Sequence, residues 1–318
     1  MSFSLSIVIP TYNRQNYVLR NMKFWSNKNV LVYVLDGSAD SIEKNKLEGL
    51  GENINYFHLP ITFPERVKKS LELVKTKYTV FMGDDEFYFP SGLKQCIDEL
   101  EKNEDLVACS GRCLGFQYKN KILSSWFMYN NQKNYSISSN DPIERMKYHM
   151  ENYTPSTVYG VTRTEDWKNS WRSFTEKEFP IFSMAEIQLE LSLSFFGKSK
   201  VIPVLTWFRS YENETVLTGE GSFSRENVFE NWWNKTEKIE EINEFLDIMS
   251  ETLFKQNKFN LSKEEIIKGI KESLDKYYKL ILTIQNKKKK NKKFILKISP
   301  SFFKKIMKQI FSSLGIIH

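Results

Sequence analysis

The chain has 318 residues, 41% apolar and 14% aromatic, enough to bury a substantial core in one large or two modest domains. Its net charge of +7 is local: residues 287–318 hold ten Lys and no Asp or Glu, so the first 286 residues carry −3. A body with that balance excludes the basic groove of a nucleic-acid-binding protein. The three Cys (Cys96, Cys109 and Cys113) form a low, odd count that fits a reducing cytoplasm. Cys109 and Cys113 have no further Cys and no nearby His to complete a zinc site, so all three are expected to pack. The N-terminus MSFSLSIVIP lacks a basic leader and runs straight into a strand, so it does not read as a signal peptide. No apolar run reaches 18 residues, so no segment is expected to span a membrane.

Leu5 to Pro10 is a continuous apolar run, the pattern of a strand covered on both faces, and the polar loop Thr11-Tyr12-Asn13-Arg14 follows it. Tyr17 to Phe24 has helical spacing. Val30 to Leu35 reads as a second buried strand, ending in Asp36-Gly37-Ser38, and Asn55 to Leu59 as a short third. Pro64 to Val74 is helical, with Val67, Leu71 and Val74 on one face. Tyr78 to Met82 is a further strand, Ser91 to Asn103 a helix, and Leu106 to Ser110 a strand. This alternation predicts an α/β fold with a mostly parallel sheet flanked by helices.

Three of these strands end in polar loops within the first 90 residues. In open α/β sheets, ligands bind outside the carboxyl ends of the strands, so these loops predict one nucleotide-sized crevice. The loop after Met82 carries three adjacent acids, Asp84, Asp85 and Glu86, between aromatic residues. Such carboxylates repel one another, and burying them without partners is costly. A divalent cation offsets that cost, and Mg²⁺ in particular is held by one or two carboxylates together with a ligand's phosphates. A solvated acidic turn is the simpler alternative. No G-x-G-x-x-G follows the first strand and no P-loop motif occurs, which excludes a dinucleotide-cofactor site and a P-loop ATPase.

The stretch from Gly115 to Tyr135 is less regular, aromatic and polar, and reads as strands with long loops. Asp141 to Asn152 predicts a helix with an Asp cap, Ser156 to Arg163 a strand, Thr164 to Phe174 a helix, Ser183 to Phe196 a helix stopped by Gly197, and Lys200 to Ser210 a strand. Arg225 to Phe254 repeats apolar residues at three and four, an amphipathic helix broken once. Ser262 to Gln285 is a second, opened by the capping box Ser262-x-x-Glu265. These two helices can pack on the α/β body or against a second copy of the chain, so residues 225–285 are a possible homo-oligomer surface. The run KKKKNKK at 287–293 precedes Ser301 to Ile317, in which Phe303, Ile306, Ile310, Leu314 and Ile317 share one side. A polybasic run with a basic amphipathic helix reads as a membrane-surface anchor, each Lys contributing about 1 kcal/mol near an anionic leaflet. A solvated C-terminus is the alternative.

The segments SIVIPTYNR (6–14), VLDGSADSI (34–42), FPERVKKSLELVKTKYTVFMGDDEFYFP (63–90) and AEIQLELSLSFFGKSKVIP (185–203) occur in a specific order and spacing. Through them, residues 1 to about 210 resemble the inverting, family 2 nucleotide-sugar glycosyltransferases of the GT-A fold. The resemblance implies a GT-A domain over 1–215; the helical extension (216–286) and the polybasic tail (287–318) lie outside it and rest on the apolar spacing and the Lys run. It implies that Pro10, Thr11, Tyr12, Asn13 and Arg14 lie on the nucleotide side, that Asp36 hydrogen-bonds the base, and that Arg66 also faces the nucleotide. Asp84 then contacts the donor and Asp85 ligates Mn²⁺ or Mg²⁺ on the diphosphate, although Gly83 departs from the family's usual acidic wording. The catalytic base maps to Glu186, with Glu190 and Glu178 as alternatives. Ser183 and Glu186 also fit a capping box, which gives Glu186 a purely structural alternative. Arg209 is expected either to touch phosphate or acceptor, or to pair on the surface with Glu212 or Glu214.

The reaction implied is transfer of a hexose-like sugar from a nucleotide-sugar donor, UDP being the commonest, to a glycan or lipid-linked acceptor of bacterial surface-polysaccharide type. The enzyme would be cytoplasmic, held at the inner membrane surface by 287–318. GDP, CDP and dTDP remain open as donor nucleotides. A nucleotidyltransferase of sugar phosphates would share the crevice but lacks its Gly-rich loop here. A non-catalytic binding module would be expected to have lost Asp84 and Asp85.

Overall fold

The computed structural model describes residues 3–213 and 227–297, with side chains to residue 287. The chain begins β1 (Leu5–Thr11), α1 (Gln15–Trp25), β2 (Leu31–Asp36), the one-turn α2 (Lys44–Leu47), β3 (Ile54–His58), α3 (Phe63–Leu73), β4 (Tyr78–Phe81), β5 (Phe87–Tyr88) and α4 (Pro90–Lys102). It continues through β6 (Leu106–Lys119), β7 (Ile122–Phe127), β8 (Ser136–Ile137), α5 (Pro142–Glu151), β9 (Val161–Arg163), α6 (Thr164–Glu176), α7 (Met184–Phe196) and β10 (Lys198–Ser210). Three helices follow: α8 (Phe229–Trp232), α9 (Ile239–Lys255) and α10 (Lys263–Lys297).

One sheet runs β3-β2-β1-β4-β9-β6-β10-β5, with β7 added on β6 and β8 on β10. The pairings β2/β3, β1/β2, β1/β4 and β6/β10 are parallel, while β9, β5, β7 and β8 join antiparallel. β1 reads apolar throughout because both its faces are covered. Ile7 and Ile9 pack with Val18, Met22 and Trp25 of α1 and Leu93 of α4, while Val8 packs on the other face with Val67 of α3 and Trp171 and Phe174 of α6. Strand order reverses at β1, between β2 and β4, so the loops after β1, β2 and β4 meet at the position where ligands bind such sheets.

A third core unites α5, α7, α8, α9 and α10 with Val107 and Ala108 of β6. The apolar faces of α9 and α10 are therefore used on the body itself: Ile242, Phe245, Leu246 and Met249 with Ile266, Ile270 and Leu274. The break expected between 225 and 254 falls between α8 and α9. The capping box at Ser262 forms, with Ser262 N–H donating to Glu265 Oε2 at 2.7 Å and Glu265 N–H to Ser262 Oγ at 3.2 Å.

Several expectations shift. The strand expected over 156–163 is confined to β9, because residues 156–160 form a turn. Residues 115–135 hold the β6–β7 hairpin, whose weak sequence period reflects exposure on both faces. α10 continues through the Lys287–Lys293 run, as Lys is a good helix former and the next proline is Pro300. The boundary at 215/216, Glu214 and the amphipathic helix expected at 301–317 lie outside the described residues. Cys96, Cys109 and Cys113 are buried free thiols. Among the described residues no helix is long and apolar enough to cross a membrane.

Candidate active site

A crevice of about 410 Å³ opens at the carboxyl ends of β1 and β4. That volume lies in the usual range of small-molecule sites. Its wall draws on four segments: Pro10, Thr11, Tyr12 and Arg14 at the end of β1 and just beyond; Phe63 and Arg66 at the start of α3; Phe81, Gly83, Asp84, Asp85 and Glu86 at the end of β4 and just beyond; and Arg209, Ser210, Tyr211 and Asn213 around the end of β10. Glu178 joins them.

The loops after β1 and β2 are stitched together. Gly37 N–H donates to Thr11 O at 3.0 Å and Asn13 N–H to Ser38 Oγ at 2.8 Å. Asn13 adopts a left-handed backbone (φ 55°), which Asn tolerates because its short side chain competes locally for hydrogen bonds. Asp36 is fully buried and turns inward: Oδ1 accepts from Ser38 N–H at 2.9 Å and Oδ2 from the Tyr56 hydroxyl at 2.7 Å. It fixes the turn but is not part of the crevice wall.

Arg66 is on the wall, and two local features put it there. Thr62 and Glu65 form a reciprocal capping box that starts α3, with Thr62 N–H donating to Glu65 Oε2 at 2.9 Å. The Arg66 guanidinium then donates to Ile61 O at 2.7 Å and fills the space beside Gly37. A Cβ on Gly37 would lie 1.8 Å from Arg66 Nη1, so glycine is what admits the arginine.

The acid pair is held from both ends. Thr11 Oγ1 donates to Asp84 Oδ2 at 2.8 Å, and Arg14 Nη1 lies 3.3 Å from Asp84 Oδ1 and 3.7 Å from Asp85 Oδ2. Asn213 Nδ2 donates to Asp85 Oδ2 at 2.7 Å. From α1, Asn21 Nδ2 donates to the Asp84 carbonyl at 2.6 Å and Arg20 Nη2 to the Asp85 carbonyl at 2.9 Å, which pins the backbone of both acids. Burial lifts the Asp84 carboxyl to about 6, aided by the Asp85 charge and opposed by Thr11 and Arg14. Burial likewise lifts Glu86 to about 7, against the nearby Arg209 charge.

Among the described residues no three His, Cys, Asp or Glu side chains converge as a ligand set. Asp85 nevertheless lies on the crevice wall beside a second carboxylate. That arrangement fits Mg²⁺ or Mn²⁺, which take one or two carboxylates and complete their shell with substrate phosphates and water.

Glu186 opens α7 but does not cap it. The residue before α7, Ser183, has φ 65° and makes no side-chain cap bond. The Glu186 carboxylate instead accepts from the hydroxyls of Tyr153 and Tyr159, the latter at 3.2 Å. Burial raises its pKa, with Tyr153 opposing the shift, the Glu190 charge adding to it, and Arg209 and Tyr159 opposing it. Glu186 is partly buried and is not among the wall residues. Glu190, one turn on, is spent structurally: it is fully buried, Oε2 accepts from His149 Nε2 at 3.0 Å, and Oε1 accepts from Val158 N–H at 3.2 Å. Tyr135 donates its hydroxyl to His149 Nδ1 at 2.6 Å, which satisfies both ring nitrogens.

Between Glu186 and the acid pair lies an aromatic wall. Tyr159 and Tyr129 both stack on Trp207, at 4.3 and 5.9 Å between ring centroids, and the Trp207 indole donates to Glu86 Oε2 at 2.8 Å. Arg209 donates to the Tyr129 hydroxyl and lies over the Trp207 and Tyr211 rings. It is not a surface pair of Glu212, which bonds Arg20 at 2.9 Å. Sequence reasoning did not find Asn213, Trp207, Tyr153 or Tyr159, since each is far in sequence from what it touches.

The sequence model of a family described as "Glycosyl transferase family 2" matches residues 6–164. No curated protein matches the chain. Among solved structures, the chain is similar to "S. aureus TarS 1-349" (14% identity, covering 90% of this chain and 92% of that one, TM-score 0.50). It is equally similar to the same fragment in complex with UDP-GlcNAc (15% identity, the same coverages, TM-score 0.50). At that identity the likeness is one of fold, and its 90% share of this chain is greater than the family match over residues 6–164. With half its length matched by the family model, and an acid pair set in a crevice at the carboxyl ends of parallel strands, this chain belongs to glycosyl transferase family 2.

Proposed function

We propose that this glycosyltransferase moves a sugar, with inversion, from a UDP-sugar to a hydroxyl of a glycan or lipid-linked acceptor, with help from a divalent cation at Asp85. One observation carries the reading: Asp84 and Asp85, at the end of β4, meet Thr11 and Arg14 from the end of β1 in a crevice of nucleotide-sugar size. UDP is the first nucleotide to test because the TarS fragment of like fold was crystallised with UDP-GlcNAc.

In the reaction, the acceptor oxygen attacks the anomeric carbon as the bond to the diphosphate oxygen breaks. The electron pair of that bond leaves with the diphosphate. A cation bound at Asp85 would supply Lewis-acid stabilisation of the departing charge. Arg14 and Arg66, both on the wall, offer donors to the phosphates. Asp36 acts by ordering the Gly37–Ser38 turn against the β1 loop. The acceptor hydroxyl has an alcohol's high pKa, so a carboxylate must take its proton as the new bond forms. Glu186 is that base: Tyr153 and Tyr159 orient it, and burial raises its proton affinity above that of an ordinary glutamate. A single base with no nucleophilic partner carboxylate gives inversion, by analogy with hydrolases. Glu178, on the crevice wall, is the rival base.

The polybasic run from Lys287 would hold the enzyme, in the cytoplasm, at the inner leaflet where lipid-linked acceptors lie. Removing 287–318 should then release the protein from anionic vesicles at low salt. The reading as a whole is tested by thermal stabilisation of the protein with UDP, GDP, CMP, CDP and dTDP, each with and without Mn²⁺. Metal-dependent stabilisation by one nucleotide is the expected result. No shift with any of them would favour a non-catalytic module.

A further inference from the structure

The β6–β7 hairpin has a surface that the transfer reaction does not use. Residues 117–127 are all exposed. Ile122 and Leu123 are 65% and 58% accessible, and Tyr118 is 54%. Opposed residues in an antiparallel ladder share a face. Tyr118 opposes Leu123, which puts both on one face, while Lys119 opposes Ile122 on the other. The tip is therefore apolar on both faces. A protein partner seated on one face would leave the other wet, whereas a lipid interface can surround both. Contiguous exposed apolar surface of this kind marks an interaction site.

Charge identifies the partner. Residues 106–140 contain no Asp or Glu, but Arg112, Lys119, Lys121 and Lys133. Lys119 ends β6 and Lys121 lies in the two-residue turn with Asn120, where long basic side chains can lay their stems along lipid while their charged ends stay at the headgroups. Ile122 and Leu123 would enter the acyl boundary with Tyr118 at the interface, as in other interfacial anchors. The hairpin also adjoins the exposed end of α10: Leu280 and Ile284 share a surface cleft with Asn131, Lys133 and Asn134, just after β7.

We propose that the tip of the β6–β7 hairpin inserts into the surface of an anionic bilayer through Tyr118, Ile122 and Leu123, with Lys119 and Lys121 on the headgroups. This contact is separate from the polybasic run. Lysine attraction alone is screened by salt, while apolar insertion persists. Stable anchoring generally needs two weak signals, and the hairpin would be one. Through Trp126, 5.2 Å from Tyr211 on the crevice wall, it would also present the crevice mouth to the membrane.

The test uses the full chain. Because Cys96, Cys109 and Cys113 are buried, Ile122→Cys can be labelled selectively with an environment-sensitive fluorophore. Vesicles of phosphatidylcholine with phosphatidylglycerol should raise and blue-shift its emission, and the signal should persist at high salt. The unlabelled double variant Ile122→Asp/Leu123→Asp should bind the same vesicles at least about tenfold more weakly, since two aliphatic side chains no longer enter the lipid. Its stabilisation by UDP should match wild type, which separates this proposal from the reading of the crevice. An unchanged label signal, or wild-type vesicle binding by the double variant, would overturn the proposal. So would loss of a dimer in the double variant without loss of vesicle binding, which would make the hairpin a self-interface.

Discussion

In the parallel half of the sheet, the polar groups that reach the crevice come from strand ends or from the first turn beyond them. Thr11 ends β1 and Tyr12 and Arg14 follow it, Asp84 and Asp85 follow β4, and Arg66 sits in the first turn of α3. The tyrosine half of the site is assembled otherwise. Glu186 on α7 is held by Tyr153 after α5 and Tyr159 before β9, and Trp207 on β10 bonds Glu86 across 121 residues. The first half binds through loops on a rigid scaffold. The second positions one carboxylate through packing among helices. Damage to the first should appear in donor binding, and damage to the second in turnover and stability.

The sharpest separation comes from Glu186→Gln. Turnover should fall by about 10² to 10⁴, the range for loss of a general base, with UDP affinity unchanged. Glu178→Gln should cost less than about tenfold in turnover on the same scale. The reverse ranking in steady-state kinetics would move the base to the crevice wall. Next in size is His149→Ala, which takes from the fully buried Glu190 one of its two hydrogen bonds and opens a cavity beside it. A buried acceptor left short of a donor costs about 1–3 kcal/mol and the cavity adds to that, so denaturant unfolding should show a clear loss of stability.

Gly37→Ala belongs to the other half. The new methyl overlaps the Arg66 guanidinium, so we expect about 1–3 kcal/mol of destabilisation together with weaker donor binding. Calorimetry with UDP would show the variant behaving like Arg66→Ala. An Ala variant with wild-type UDP affinity would mean that Arg66 does not serve the nucleotide. The smallest effect is that of Tyr153→Phe. The Tyr153 hydroxyl stabilises ionised Glu186, so losing it raises a pKa that burial has already raised. The base form is then lost at higher pH as the medium is acidified. The acid limb of the kcat profile should move upward in pH, with a loss of only a few-fold at the alkaline plateau.

The parallel half was legible in the sequence because its signals are local. The apolar run Leu5 to Pro10 implies a strand covered on both faces, and Asp84 and Asp85 sit at its neighbour's end whatever the rest of the chain does. Asp36 shows the limit of such reading: its position at a strand end is as expected, but Tyr56 and Ser38 take its carboxylate inward. Glu186 shows the limit from the other side. The pattern Ser183-x-x-Glu186 fits a cap, yet Ser183 is left-handed and two tyrosines from other segments claim the carboxylate. Nothing local to Tyr153, Tyr159 or Asn213 announces those contacts. The hairpin was legible only as strands with long loops, without bounds, because its apolar residues face outward on both sides and no buried-face period describes them.

In the proposed reaction, Asp85 joins a cation to a nucleotide donor in the crevice between β1 and β4. The most direct test is calorimetric titration of UDP into wild-type and Asp85→Asn protein, each with Mn²⁺ and with chelator. Wild type should bind UDP in the presence of Mn²⁺ and not with chelator, and Asp85→Asn should lose that binding. Equal binding of UDP by both proteins, with or without metal, would contradict that role.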